Sequence, residues 1–129
     1  MTIEFSYLKK QFREEEAEAI WQKIKPVVTE GRFTLGVEVD RFEEAYAAKA
    51  GSAYAVGCNS GTDALALPLM ALGAAGSEVI CPAFSFIATA GAIKQAGAVP
   101  VFCDVGEDMN IDVDRIEEKI TPATTFLMP

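Results

Sequence analysis

Two short stretches of the chain combine residue types that could hold a small anionic ligand. The first, Asn59-Ser60-Gly61-Thr62-Asp63, joins an apolar run to a predicted helix and offers hydroxyls, a glycine and backbone amides. Amides at a helix N-terminus bind phosphate together with the positive end of the helix dipole. Plain helix capping is the alternative for Ser60, Gly61 and Thr62, because Ser, Thr and Asp are common capping residues. The turn lacks the Walker A and Gly-x-Gly-x-x-Gly patterns, which disfavours a nucleotide site.

The second stretch places two aromatic rings after a predicted strand. Phe84 and Phe86 follow Pro82 and are separated by one residue. One ring could lie flat on a planar ligand while the other packs inward, and two core phenylalanines are the alternative. Asp104, after the next strand, is interpreted as a turn or cap residue.

Composition excludes several classes of chemistry. The 129 residues include no histidine and carry a formal net charge of −8. A histidine base and histidine-ligated zinc are therefore absent, and the basic surface of a nucleic-acid-binding protein is lacking. Cys58, Cys81 and Cys103 are too widely spaced for a metal clip and are interpreted as buried thiols in a reducing compartment. No segment reaches the roughly 20 apolar residues of a membrane span. We expect no metal, no nucleic-acid partner, no membrane and a cytoplasmic location.

Hydrophobic patterning predicts that the front of the chain is helical. Apolar residues recur at helical spacing over 12–30, where Pro26 should kink the helix or separate its last turn, and Gly31 should end it. A second helix begins at Val37 and is closed by Gly51. We treat residues 1–52 as N-terminal helices that are distinct from the rest of the chain.

From residue 53 onward, short apolar runs alternate with helical segments. Strands are predicted at 53–57, 78–81, 99–103 and 125–128, and helices at 62–72, 87–96 and 111–120. This alternation is typical of an α/β fold with a mostly parallel sheet and helices on both faces. Ligands of such folds bind beyond the carboxyl ends of the strands, and both candidate stretches are predicted to lie there.

Two features indicate that the chain is the front part of a longer polypeptide. The helix at 62–72 is apolar nearly all round, so we expect it to be buried on several sides. The last residues lie in or just after a predicted strand, whereas domain boundaries normally fall in polar linkers.

Seven short motifs succeed one another in an order and spacing that cover nearly all of residues 25–129. They are Phe33-Thr34-Leu35-Gly36 with Phe42-Glu43; Ser60-Gly61-Thr62-Asp63-Ala64-Leu65; Glu78-Val79-Ile80 with Pro82; Phe86-x-Ala88-Thr89; Gly97-Ala98-Val99-Pro100-Val101-Phe102 with Asp104; Asn110-Ile111-Asp112; and Ile120-Thr121-Pro122. Together they closely resemble the DegT/StrS family of sugar aminotransferases. One departure is Gly76-Ser77-Glu78, where the family commonly has Gly-Asp-Glu at a surface turn.

The resemblance implies a fold and a cofactor. Family members use pyridoxal 5'-phosphate in a fold-type-I, aspartate-aminotransferase-like architecture, usually as homodimers. Residues 53–129 would form the first part of the large, cofactor-binding domain, with the rest of that domain and the C-terminal domain absent. Ser60, Gly61 and Thr62 match the phosphate-binding turn, and Phe86 matches the aromatic residue stacked on the cofactor ring.

The resemblance also implies a reaction, in which an amino group passes from glutamate to a 3-keto or 4-keto sugar nucleotide in amino-sugar biosynthesis. No lysine here matches the family's Schiff-base position, which is expected downstream, so no catalytic residue is assigned. The 129 residues alone are therefore expected to be inactive. Two alternatives stay open: a sugar dehydratase of the same family with the same cofactor, and a truncated, non-catalytic binding protein.

Overall fold

The chain divides into two units after Gly57. The structure, a computed structural model, describes residues 7–129 except for the side chain of Lys9. The first unit ends at Gly57, and the second covers Cys58–Pro129. Within the described residues, no helix is long and apolar enough to cross a bilayer.

Helix α1 spans Glu14–Thr29 in the first unit, after a 3-10 turn at Leu8–Lys10. The backbone N–H of Arg13 donates to Glu16 at 2.9 Å, and its guanidinium donates to the same carboxylate at 3.0 Å. These hydrogen bonds, the side-chain one first, hold the pKa of Glu16 below its ordinary value.

Of the two effects expected of Pro26, a kink or a separate last turn, the second is absent, because α1 continues without a break as far as Thr29. Proline removes only its own N–H donor, and the carbonyl of Pro26 still accepts a hydrogen bond from the N–H of Glu30 at 3.0 Å. The helix has no buried residue, so water can reach the carbonyl that lost its partner.

Helix α2 spans Val37–Ala50 and ends as predicted. Gly51 adopts the left-handed conformation with φ of 69°, and the next amide, that of Ser52, returns to the carbonyl of Ala47 at 3.0 Å. Only glycine enters this conformation without a steric cost, so the sequence marks the end of the helix unambiguously.

The predicted strand at 53–57 is not formed. Among the described residues this segment joins no sheet, and the side chains of Tyr54 and Val56 are 86% and 82% exposed. A strand requires backbone partners, and an apolar run by itself does not supply them. Instead, the N–H of Gly57 donates to the carboxylate of Glu43 in α2 at 2.6 Å.

The second unit is a parallel α/β fold, as predicted. Its main elements are α3 (Gly61–Ala71), β1 (Glu78–Pro82), α4 (Ala88–Gln95), β2 (Val99–Cys103) and β3 (Thr124–Leu127). The sheet has the order β2-β1-β3, and both pairings are parallel. In the register of the sheet, Ile80 lies opposite Val101 on one side and Leu127 on the other.

The α-helix predicted at 111–120 is replaced by two 3-10 turns, Val113–Arg115 and Glu117–Lys119. The amides of Arg115 and Lys119 bond to carbonyls three residues earlier, which is the 3-10 pattern. Asp112 does cap the first turn, because its carboxylate accepts the N–H of Asp114 at 3.1 Å. Pro122 disfavours the helical conformation at the preceding residue and so limits the segment's length.

Apolar side chains between α4 and the sheet form the core of the second unit. Val79, Ile80, Cys81 and Ile93 are completely or almost completely buried. Helix α4 contacts both β1 and β2, and α3 packs against α4. The described residues cover only part of α3, so its burial on several sides, which was expected to need further protein, stays a prediction. Ala66 and Leu69 are buried, but three apolar side chains of this region are 43–69% exposed: Leu67, Met70 and Leu72.

Candidate functional site

The starts of α3 and α4 lie at the same edge of the sheet. The turn after α3 and the turn after α4 meet at the amino ends of the strands, where the N–H of Gly76 donates to the carbonyl of Gly97 at 2.9 Å. Close by, the N–H of Val99 donates to the carbonyl of Ser77, also at 2.9 Å. The two helices therefore end at the amino edge of the sheet, and both begin at the opposite, carboxyl edge.

Because α3 and β1 are similar in length, the two candidate stretches lie at the same edge of the sheet. Helix α3 has 11 residues and β1 has five, so both are about 16 Å long. The turn of Ser60, Gly61 and Thr62 thus reaches the carboxyl edge of the sheet, where Phe86 follows β1. Open α/β sheets bind ligands at this edge.

Ser60 caps α3 with its side chain. Its Oγ accepts the N–H of Asp63 at 3.2 Å, and its hydroxyl donates to the carboxylate of Asp63 at 3.0 Å. The capping role that the sequence left open is therefore present at Ser60. Asp63, which sequence reasoning gave no role, is the partner, and the spacing Ser-x-x-Asp could have revealed it.

Gly61 and Thr62 leave the remaining donors of the turn available. Their amides donate to no oxygen of the described residues, and neither does the Thr62 hydroxyl. A Cβ added to Gly61 would meet no atom within 4 Å, so open space lies against the backbone there. Two amides at a helix N-terminus facing open space can hold an anion.

Phe84 and Phe86 both point into solvent rather than into the core. Their side chains are 69% and 77% exposed, so neither ring belongs to the core of the described residues. The expectation that one of the two rings packs inward is therefore not met among these residues. Sequence reasoning also missed a hydroxyl pair around this segment. Ser85 Oγ and Thr89 Oγ1 lie 2.8 Å apart, and the i, i+4 spacing of two hydroxyl residues was the available signal.

Asp104 lies after β2 in an exposed ion-pair network. Its carboxylate is 3.0 Å from Nη1 of Arg115, whose Nε is 3.2 Å from Asp112. Its carbonyl also accepts the N–H of Asp112 at 2.9 Å, which closes the turn. This agrees with the interpretation of Asp104 as a turn residue, and exposed pairs of this kind contribute at most about 1 kcal/mol each.

The cysteines fall into two environments. Cys81 and Cys103 are buried as expected, and burial raises the pKa of the Cys81 thiol. Cys58 is exposed, so its interpretation as a buried thiol is wrong: its Sγ lies in the turn before α3, 3.4 Å from the carbonyl of Ser60. Across the described part of the chain, no group of three His, Cys, Asp or Glu side chains could hold a metal ion.

Two curated relatives and one solved structure show what the chain resembles. It is 40% identical over 117 residues to the 3-oxo-glucose-6-phosphate:glutamate aminotransferase of Bacillus subtilis (strain 168), covering 89% of this chain and 26% of that protein. It is 40% identical over 108 residues to the UDP-2-acetamido-2-deoxy-3-oxo-D-glucuronate aminotransferase of Pseudomonas aeruginosa, covering 82% and 30%. The crystal structure of NtdA from Bacillus subtilis with bound cofactor PMP superposes with a TM-score of 0.90 and 37% identity, covering 98% of this chain and 29% of that one.

The chain therefore spans between 26% and 30% of the length of these proteins. Over that part, the high TM-score confirms the α/β fold expected from the sequence, and the bound PMP agrees with the cofactor expected for the family. The model of the DegT/DnrJ/EryC1/StrS aminotransferase family matches residues 14–129, and the chain belongs to that family.

Proposed function

We propose that the natural polypeptide containing this chain transfers an amino group from glutamate to a keto-sugar nucleotide, with pyridoxal 5'-phosphate as cofactor. Family membership supports the reaction class. The name of one relative includes glutamate, and that of the other includes a UDP-linked sugar. Both names specify a 3-oxo sugar, which favours a 3-keto over a 4-keto substrate.

The observation that carries the proposal is the open start of α3. The cofactor's phosphate would be held by the amides of Gly61 and Thr62, aided by the helix dipole and the Thr62 hydroxyl. Ser60 would contribute mainly by fixing the first turn, because its hydroxyl is bonded to Asp63. The lack of a Cβ at Gly61 leaves room for a phosphate oxygen against the backbone.

Phe86 would cover one face of the cofactor's pyridine ring. Its exposed ring follows the carboxyl end of β1, the edge at which we propose that the phosphate binds, and a flat apolar face suits an aromatic ligand. When bound, the cofactor supplies an electron-accepting ring and the carbonyl group that carries the amino group between substrates. The residues of this chain would hold and orient it, and would exclude water from the face that Phe86 covers.

Gly61→Ala tests the phosphate turn. The added methyl group would occupy the space assigned to the phosphate, so the dissociation constant of pyridoxal phosphate should rise about tenfold, as for the loss of one charge-assisted hydrogen bond. Pyridoxal, which lacks the phosphate, should bind both proteins equally. The helix should not weaken, because alanine favours helices by up to about 1 kcal/mol over glycine.

Gly91→Ala is the matched control. Gly91 lies inside α4, and a Cβ added there also meets nothing within 4 Å. It should bring a similar gain in helix stability without changing cofactor affinity. If Gly61→Ala binds pyridoxal phosphate as tightly as the unsubstituted protein does, the phosphate site is not at this turn.

The reaction itself is tested with the natural polypeptide, glutamate and keto-sugar nucleotides in a coupled assay. We expect 2-oxoglutarate to form beyond one equivalent per active site only when a keto sugar is present, and 3-keto substrates to be preferred. Residues 1–129 prepared separately should give no turnover, because none of their lysines matches the family's catalytic position. Consumption of the sugar without 2-oxoglutarate formation would favour the dehydratase alternative.

We also propose that the natural polypeptide is a homodimer, as the family resemblance implies. Large apolar side chains of the first unit support an interface: Trp21, Phe42 and Tyr46 are between 48% and 60% exposed. Sedimentation analysis should give twice the monomer mass, and a monomer at micromolar concentration would refute the assignment.

A further inference from the structure

The ring of Phe86 cannot be held in place by core packing. Its side chain is 77% exposed, and those of Phe84 and Ile87 are 69% and 76% exposed. An exposed side chain keeps its rotamer freedom, and ordering any rotor, in the side chain or in the backbone that carries it, costs entropy on binding. The backbone of residues 84–87 sets the direction of the Cα–Cβ bond of Phe86, and so the region that its ring can reach.

Two hydrogen bonds to one residue fix that backbone. The N–H of Thr89 donates to the carbonyl of Phe86 at 3.0 Å. The hydroxyl of Thr89 is paired with that of Ser85 at 2.8 Å, so both sides of Phe86 are tied to the first turn of α4.

Ordinary helix capping does not account for the hydroxyl pair. The residue at the N-cap position of α4 is Ile87, and no side chain caps the helix. A serine near a helix start normally accepts a backbone N–H, but the partner of Ser85 is the Thr89 hydroxyl. The pair thus closes a loop of five residues around Phe86 instead of completing the helix end.

We propose that Thr89, acting through Ser85, is a positioning residue that presents the ring of Phe86 to the cofactor. This inference rests on the proposed function, because it assumes that Phe86 covers the pyridine ring. Thr89 itself needs no contact with the cofactor. Its effect is to reduce the conformational freedom that the segment carrying the ring, residues 85–89, loses when the cofactor binds.

The test removes either hydroxyl in the natural polypeptide and measures cofactor binding. Thr89→Val keeps the shape of the side chain, and Ser85→Ala removes the other partner. Each should raise the dissociation constant of pyridoxal phosphate about two- to tenfold, the range that corresponds to one hydrogen bond. Each should also weaken the circular dichroism induced in the bound cofactor, because a Phe86 side chain on a more mobile segment places the cofactor in a less asymmetric environment.

Three further variants separate positioning from a general structural effect. The double variant should bind no worse than either single one, because the two hydroxyls act as one pair. Thr89→Ser should restore both readouts. Thr29→Val is the matched control: the Thr29 hydroxyl donates to the carbonyl of Pro26 at the end of α1, at 3.4 Å, and its loss should leave cofactor binding unchanged. The unfolding midpoint of the cofactor-free protein should shift by no more than about 2 °C in any variant.

Phe86→Leu distinguishes failure of this inference from failure of the proposed function. If Phe86→Leu weakens cofactor binding but Thr89→Val does not, the positioning role of Thr89 is refuted, and the proposal that Phe86 covers the pyridine ring is retained. Additive effects in the double variant, or no recovery in Thr89→Ser, would also refute it. If Phe86→Leu leaves binding and dichroism unchanged, the assignment of Phe86 fails, and the role of Thr89 fails with it.

Discussion

At the start of α3, Ser60 makes side-chain hydrogen bonds that Gly61 and Thr62 do not make within the described part of the chain. The Ser60 side chain caps the helix through Asp63, whereas Gly61 and Thr62 keep their amides available for an anion. The cap at Ser60 is confirmed, whereas anion binding at Gly61 and Thr62 stays a prediction, and local patterns point to both because they use the same helix-end donors. Sequence alone could not assign a task to each residue, since that depends on the direction of a single hydroxyl.

Ser60→Ala should lower the free energy of unfolding by about 1 kcal/mol, because the N–H of Asp63 loses its acceptor. Pyridoxal phosphate affinity should change much less than in Gly61→Ala. Urea denaturation of the cofactor-free protein measures the first effect, and a binding titration measures the second. Ser60→Thr, which keeps a capping hydroxyl, is the control. A loss of affinity as large as that of Gly61→Ala would instead make the Ser60 hydroxyl a direct phosphate ligand.

The three cysteines should differ in reactivity. Cys58 is exposed and should react with a maleimide in the folded protein, whereas Cys81 and Cys103 should react only after unfolding. Burial raises the pKa of Cys81, because the folded state disfavours the charged thiolate. The contribution of the neutral thiol to the free energy of unfolding is therefore fully present below the ordinary thiol pKa. It is lost as the pH rises through the raised value.

Peptide mapping by mass spectrometry after timed labelling at pH 7 and pH 9.5 measures this difference. Cys58→Ser should abolish the fast phase at both pH values. Labelling of Cys81 should accelerate at the higher pH in parallel with unfolding. Fast labelling of Cys81 at pH 7, without loss of structure, would contradict its burial.

Elements specified by local signals were predicted well. The α2 end at Gly51 and the strands β1 and β2 agree with the sequence to within one residue, because left-handed glycines and short β-branched runs leave few alternatives. The segments 53–57 and 111–120 were wrong for a different reason. Pairing of a strand depends on residues far away in sequence, and the choice between α and 3-10 depends on how the ends of a short segment are held.

One long-range contact of this kind joins β1 to the turn before β3 and to the first residue of β3. The Glu78 carboxylate accepts the hydroxyls of Thr121 at 2.5 Å and Thr124 at 2.9 Å, across more than 40 residues of chain. It lies where the register of the β1–β3 pair shifts. The contact could not be read from the sequence, because nothing local to Glu78 identifies its partners.

Glu78→Ala should destabilise the protein by about 1.5–3 kcal/mol, the range for hydrogen bonds to a charged group. Glu78→Gln should cost less, because the amide oxygen still accepts a hydroxyl. Glu107→Ala, at an exposed position with no hydrogen bond among the described residues, is the control. Chemical denaturation followed by circular dichroism measures all three. Equal stability of Glu78→Ala and Glu107→Ala would show that the contact contributes nothing to the pairing of β3.

At the scale of the whole molecule, the chain consists of two compact units whose boundary along the sequence lies between Gly57 and Cys58. Residues 51–60, around this junction, contain neither helix nor strand. Proteases cut most readily where several consecutive residues can leave the fold without breaking regular structure. The exposed aromatic side chain of Tyr54 lies inside this segment.

Limited digestion with chymotrypsin should therefore cut first after Tyr54. Only two hydrogen bonds reach residues 53–57 among the described residues, those from the Ser52 hydroxyl to the carbonyl of Tyr54 and from the N–H of Gly57 to Glu43. Mass spectrometry of the early products identifies the site, and Tyr54→Ser should delay cleavage at the junction. A first cut after Phe84 or Phe86 would contradict this order. It would show that the segment after β1 opens more easily than the junction, and the hydroxyl pair of Ser85 and Thr89 would then be too weak to fix it.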